Sequence, residues 1–369
     1  MSSPSKRPRV REAGIEIGSL SPGPKNSILD VPGVAVGHTT LVEGDGALVV
    51  GKGPVRTGVT AVLPHGGNLF REKVRGAVHV INGFGKATGL AQVQELGVIE
   101  TPIVLTNTLS VGTAWDALCE YMLAQNEEIG TTTGTVNPLV AECNDGYLND
   151  IRGRHVKREH VLSALTGAST EVCPEGNVGA GTGMSCLGFK GGIGTSSRRL
   201  TGDIEDRFLG VLVLANFGSL RDLLIAGVPV GALLADRRVP DAPPGSVVVV
   251  IGTDAPLSDR QLGRIARRAQ AGLAKVGSVF SNGSGDFAIA FSTEGRVSHS
   301  SQGMIVETRL RDDSKEMAAV FRATVEAVEE AVLNALFAAK SMIGRDGNAR
   351  EGLPVDEVRS ILVSRGVIK

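Results

Sequence analysis

A glycine-serine pair, Gly245-Ser246, closes a loop holding three prolines and opens the apolar run Val247 to Ile251. A serine hydroxyl is a weak nucleophile until a base activates it, and one source of that base is an amino group at a chain terminus. Attack of Ser246 Oγ on the Gly245 carbonyl would turn the amide into an ester that water can cleave. The glycine has no side chain to obstruct the attack and tolerates strained backbone angles. Cleavage would leave Ser246 as a new N-terminus. Its α-amine, with an ordinary pKa of about 7.7 to 8.0, can act as a base near neutral pH. The plainer reading is that serine opens a strand because it suits turn geometry. The junction alone leaves both open.

Other familiar catalytic patterns are absent. There is no GxSxG elbow, no HExxH and no GxxxxGK[ST] loop. GFGKATG (83 to 89) lacks the Ser/Thr and the spacing of a phosphate cradle and reads as turn glycines. GAGTGMS (179 to 185) misses the dinucleotide fingerprint by one position. The six histidines are scattered outside any motif. Cys119, Cys143, Cys173 and Cys186 show no CxxC pairing and no histidine at ligand spacing, so they read as free thiols of a reducing compartment. No metal and no cofactor is implied.

The elements that must position these groups are short apolar strands alternating with glycine-rich turns. Residues 59 to 64, 78 to 83, 102 to 107, 209 to 216 and 286 to 293 read as strands, and 115 to 125 as a helix. Ser258 and Gln261 form a capping box before a helix whose apolar face is Leu262, Ile265, Ala266, Ala269 and Leu273, with Gly277 as its stop. A second helix is expected from about Asp313 to Met342, capped by Asp313 and Glu316. Sheets sandwiched by helices are the natural α/β architecture for this pattern. Residues 235 to 245 read as an exposed linker.

Composition narrows the partners. A formal net charge of −1 and only 4% aromatics argue against a nucleic-acid surface. No apolar run approaches the roughly 18 residues of a membrane helix, and the basic N-terminal stretch, lacking an apolar segment behind it, reads as a solvated tail. The expectation is a cytoplasmic protein with no nucleic-acid and no membrane partner.

Seven segments then carry a resemblance: 26 to 40 (NSILDVPGVAVGHTT), 58 to 68 (GVTAVLPHGGN), 106 to 117 (TNTLSVGTAWDA), 142 to 151 (ECNDGYLNDI), 176 to 184 (GNVGAGTGM), 213 to 218 (VLANFG) and 282 to 293 (NGSGDFAIAFST). In this order, around GSVVVVIGTDAPL, the chain resembles the DmpA-type aminopeptidases, the L-aminopeptidase D-esterase/D-amidase and β-peptidyl aminopeptidase group. The resemblance implies a single four-layer α/β/β/α sandwich over 1 to 369, like N-terminal nucleophile hydrolases but with its own connectivity. It implies self-cleavage into an α chain of 1 to 245 and a β chain of 246 to 369, assembled as a homotetramer. Substrates would be small peptides, amides or esters with a free amine, hydrolysed through an acyl-enzyme.

Residue by residue, Ser246 matches the family's nucleophile and Asn216 its oxyanion-hole amide. Ser284 and Asp286 match a serine-carboxylate pair in which members can carry Glu at the second place; Asp has a shorter reach to Ser284 or to the Ser246 amine. Glu142 and Tyr147 match the substrate pocket, Glu142 as partner of the substrate ammonium and Tyr147 as wall and phenolic donor. Asn144, Asp145 and Gly146 shape the turn between them. Two alternatives stand beside this reading. An ornithine acetyltransferase-type enzyme of similar fold also self-cleaves, but before Thr rather than Ser. A precursor that never matures would serve as an oligomeric binding protein, and would run as one band on a denaturing gel.

Overall fold

The strand Ser246–Thr253 is buried at every position, which is why its sequence reads as an unbroken apolar run rather than an alternating one. Val247, Val249 and Ile251 join one core and Val248 and Val250 another, as the two-residue period of a strand requires. The computed structural model describes residues 7–234, 245–300, 303, 304 and 306–368. Apart from Gly245, the expected linker lies outside the described residues.

In chain order the strands are β1 (Ala35–Glu43), β2 (Val55–Leu63), β3 (Glu72–Gly83), β4 (Val98–Ile99), β5 (Ile103–Asn107) and β6 (Leu139–Cys143). A small hairpin of β7 (Ser185–Cys186) and β8 (Phe189–Lys190) precedes β9 (Gly192–Arg199), β10 (Phe208–Asn216), β11 (Ser246–Thr253) and β12 (Gly285–Ser298). The helices are α1 (Leu90–Leu96), α2 (Val111–Leu123), α3 (Arg158–Thr166), α4 (Val230–Leu233), α5 (Asp259–Lys275) and α6 (Lys315–Ala338), before a short C-terminal helix.

One sheet has the order β1-β2-β5-β6 and the other β4-β3-β12-β11-β10-β9. Three cores separate four layers. Side chains of β10, β11 and β12 pack with α5 and α6 in the first. Ile103, Leu105 and Ala141 of the smaller sheet meet Leu212, Leu214, Val248 and Val250 of the larger in the second. Val59, Ala61, Val104 and Val140 pack with α2 and α3 in the third. The result is the expected α/β/β/α sandwich.

The α5 helix forms as its sequence dictates. Ser258 accepts from the Gln261 N–H in a reciprocal capping box, and Leu262, Ile265, Ala266, Ala269 and Leu273 are all buried. Each large aliphatic side chain so buried is worth about 1.5–3 kcal/mol. For α6 the expected ends need correction. Its cap is Ser314, which accepts from the Met317 N–H at 3.1 Å, and it stops at Ala338. Residues 9 to 11 of the N-terminal stretch also differ from a solvated tail, while 1 to 6 lie outside the described residues. Val10 is fully buried, Arg11 pairs with the buried Glu330 at 2.8 Å, and Arg9 pairs with Glu175 at 2.8 Å. Buried carboxylates on the core face recruit these arginines, which a solvated tail would leave in water. Among the described residues no helix is long and apolar enough to cross a membrane.

Candidate active site

Three strand ends meet at Ser246. It is the first residue of β11, and it pairs with Asn216, the last residue of antiparallel β10, and with Gly285, the first residue of parallel β12. Ser246 Oγ accepts the Gly285 N–H at 3.2 Å, and the serine is only 6% exposed. Gly285 must be bare, because a Cβ there would stand 2.4 Å from Gly85 Cα and 3.3 Å from Ser246 Oγ. Gly245 must be bare as well, because a Cβ would lie 2.0 Å from Asn216 O and 2.5 Å from Phe217 Cα.

The same register holds the Asn216 carboxamide. Its Oδ1 accepts the Ser185 N–H at 2.8 Å and its Nδ2 donates to Asn144 O at 3.0 Å. Gripping the acceptor end on a backbone N–H fixes which end is NH₂, and an amide NH₂ has a second hydrogen to give. That hydrogen can serve a developing oxyanion.

Ser284 and Asp286, the pair named from the family resemblance, come together. Ser284 Oγ donates to Asp286 Oδ1 at 2.6 Å, so the shorter carboxylate does reach its serine. The same oxygen accepts the Val247 N–H at 3.2 Å, one peptide along from Ser246. Asp286 is buried, and Oδ2 has no hydrogen-bond partner among the described residues. Burial pushes its carboxyl above the ordinary value, with the Ser284 and Val247 hydrogen bonds opposing. A carboxylate with a raised pKa and one free oxygen suits proton handling.

Glu142 sits near the end of β6, buried, with Oε1 accepting the Lys86 N–H at 2.9 Å and Oε2 accepting the Thr108 hydroxyl. Two donors leave lone pairs for an incoming ammonium. The neighbouring Cys143 thiol is pushed up by burial first, then by the charges of Glu142 and Asp286, which places it within the field of both carboxylates. Tyr147 is half-buried and turned toward the C-terminal segment, with the Arg350 guanidinium 3.9 Å from its ring centre and Asn348 Nδ2 donating to its carbonyl. Those contacts tie Tyr147 to residues 348 to 350.

Sequence reasoning passed over several groups here. The 83 to 89 loop is more than turn glycines. Gly85 packs on Gly285, and Lys86 and Thr88 dock their N–H groups on Glu142 and on the Val140 carbonyl. Asn144 closes an Asx turn on the Gly146 N–H at 2.9 Å while its carbonyl holds Asn216. Ser185 and Thr108 completed no motif, and only the fold reveals them.

Known proteins resemble this chain over nearly its whole length. Peptidase family S58 matches the chain over residues 26–350. The chain is 42% identical over 370 residues to the β-peptidyl aminopeptidase BapA of Sphingosinicella microcystinivorans, covering 96% of this chain and 92% of that protein. The PH0078 protein of Pyrococcus horikoshii OT3 superposes with a TM-score of 0.92 at 53% identity, covering 97% of this chain and 99% of its own. The L-aminopeptidase D-Ala-esterase/amidase of Ochrobactrum anthropi superposes with a TM-score of 0.92 at 37% identity, covering 98% and 100%. That enzyme is described as a prototype for the serine aminopeptidases and a new variant among the Ntn hydrolase fold.

Proposed function

The chain belongs to peptidase family S58 and is an aminopeptidase, and from that premise we propose that Ser246 performs both its maturation and its catalysis. Ser246 Oγ attacks the Gly245 carbonyl, the carbonyl oxygen becomes an oxyanion beside Asn216 Nδ2, and the C–N bond breaks as the nitrogen takes a proton. Water hydrolyses the resulting ester. Residues 1 to 245 and 246 to 369 then remain one folded unit with Ser246 as the N-terminus of the second chain.

Turnover repeats the attack on the carbonyl of a substrate's first residue. The Ser246 α-amine or Asp286 takes the hydroxyl proton, the acyl-enzyme forms, and water releases it. Asn216 stabilises each tetrahedral oxyanion, where one donor is worth about 2.7 to 4 kcal/mol. Glu142 pairs with the substrate ammonium and Tyr147 walls the pocket, so substrates are small peptides, amides or esters with a free amine. No metal or cofactor enters this chemistry. The observation that carries the reading is the pairing of Ser246 with Asn216, with bare Gly245 pressed on the Asn216 backbone. Serine at the junction favours hydrolysis over the ornithine acetyltransferase alternative. The four free thiols support a cytoplasmic setting, and the resemblance supports a homotetramer.

The test is Ser246→Ala. It should remain one full-length chain without aminopeptidase activity, whereas wild type gives two bands, the smaller beginning at Ser246. Ser246→Cys should still process, slowly, because a thiolate is intrinsically nucleophilic. Cleavage of the Ala variant between 245 and 246 would remove Ser246 from maturation.

A further inference from the structure

Lys190 is the only charged residue between Glu175 and Arg198, and it is fully buried. Its ammonium donates to three backbone carbonyls: Gly181 at 3.0 Å, Met184 at 2.8 Å and Gly191 at 2.9 Å. Three acceptors need three N–H bonds, and only the charged form has them; a neutral amine would turn its lone pair on a carbonyl oxygen. Burial opposes that charge, lowering Lys190 to about 7, while Asp145 and the Cys186 thiol favour it. Desolvating an ammonium is costly where an apolar side chain could fill the same space. Packing alone does not explain a lysine here.

What the lysine holds does. Met184 O takes the ammonium and also the Gly191 N–H at 3.0 Å. The opposite end of that same peptide plane, the Ser185 N–H, donates to Asn216 Oδ1 at 2.8 Å. Charge on the carbonyl side of a peptide strengthens its N–H as a donor, and hydrogen bonds in series polarise one another by about 10–30% each. We propose that Lys190 is a positioning residue for Asn216, orienting and polarising its carboxamide through the Met184–Ser185 peptide so that Nδ2 meets the oxyanion as a better-aimed, stronger donor. This rests on the reading of Asn216 as the oxyanion donor. Lys190 itself touches no reacting atom.

The experiment is a double-mutant cycle with Lys190→Met or, should that variant fail to fold, Lys190→Gln, which keeps two N–H donors and loses the charge. Asn216→Ala is the second site. The readouts are the first-order rate of self-cleavage, and kcat and KM of the mature protein on an aminoacyl p-nitroanilide. A Lys190 variant should lower the cleavage rate and kcat about 10- to 100-fold, as misplacement of a catalytic group does, with KM within about two-fold. In the Asn216→Ala background the same substitution should cost less than about two-fold, because the group it acts through is gone. Full additivity, a change in KM alone, or an unchanged kcat would each overturn the proposal. If Asn216→Ala is itself near normal, the oxyanion reading fails first, and the positioning role falls with it. Should the Asn216→Ala precursor stay uncleaved, the kcat-against-KM split of the Lys190 variant decides.

Discussion

Gly245→Ala probes the strand-end geometry where it is tightest. The added Cβ would stand 2.0 Å from Asn216 O, 2.5 Å from Phe217 Cα and 2.9 Å from Asn216 C. All three are backbone atoms, so no flexible side-chain tip can swing aside. Clearing the worst contact to 3.0 Å, below which real Cβ atoms essentially never sit, takes about 1 Å of movement. Overpacking of this kind costs about 1–3 kcal/mol. The half-buried 245 peptide, just before the strand, is what yields, and on the proposed maturation it carries the carbonyl that Ser246 attacks. A 1 Å misplacement can cost about 10²-fold in rate. The Gly245→Ala precursor should therefore fold and self-cleave about 10²-fold more slowly than wild type, still releasing a chain that begins at Ser246. A time course of freshly translated protein on a denaturing gel measures this, with Ser246→Ala as the uncleaved reference. Cleavage within about two-fold of the wild-type rate would refute the claim that residue 245 is glycine because it touches the Asn216 backbone.

Asn216→Ala should lower kcat by about 10²–10³-fold with little change in KM, the usual loss of one oxyanion donor; near-normal kcat would take Asn216 out of the site. Asp286 has a carboxyl raised above its ordinary 3.8 by burial, so its anion, and any activity that needs it, appears as pH rises through that raised value. Asp286→Asn should erase this acidic limb from the kcat/KM profile, and an unchanged limb would assign it elsewhere. Wild type should hydrolyse a free aminoacyl p-nitroanilide and reject its N-acetyl derivative, since stranding a buried charge costs about 2–5 kcal/mol, roughly 30- to several-thousand-fold. Glu142→Gln should weaken kcat/KM for the free amine and narrow that gap; a lower Tm with the gap intact would make Glu142 a holder of the 84 to 88 loop instead.

Much of the site was legible because its signals are local. A Pro-rich loop ending in Gly-Ser before Val247 to Ile251 marks a serine at a strand mouth, whereas Ser284 and Asp286 come from the family resemblance, their contact being seen in the fold. The capping box of α5 is self-contained. What stayed hidden is non-local. Nothing near Asn216 says that it pairs with Ser246 rather than with any other strand end, because register across a sheet is set by tertiary packing. The polar GIGTSSRR of β9 hides a strand buried at seven of eight positions, since Ser196 donates to Ala327 O on α6 and Arg198 donates to Ile17 O and Glu330, all distant in sequence. Lys190 left one trace. A lone charge in the glycine-rich, otherwise uncharged run from 176 to 197 stands out, and burial with paired carbonyls accounts for it.

If, as proposed, one strand end serves two reactions, the site sorts by what each residue can see. Gly245 lies on the acyl side of the bond that is cut, and its carbonyl leaves the nucleophile when the ester is hydrolysed. Its substitution should therefore slow maturation and spare turnover in whatever fraction matures. Glu142 answers to an ammonium that the precursor junction does not have, so its loss should spare maturation and impair turnover. On the same proposal Asn216 serves the oxyanion of either carbonyl, and Ser246 Oγ, which accepts the Gly285 N–H in the uncut chain, is the nucleophile of both, so both steps should fall together when these two are changed. The base is the point of divergence. Before cleavage the Ser246 nitrogen is an amide and takes no proton, which leaves the carboxylate one peptide away, on the Val247 N–H, to start maturation. After cleavage the same nitrogen is an amine held on the nucleophile's own residue. Asp286→Asn should accordingly slow maturation more than turnover, and an equal loss in both would mean that the carboxylate remains the base throughout.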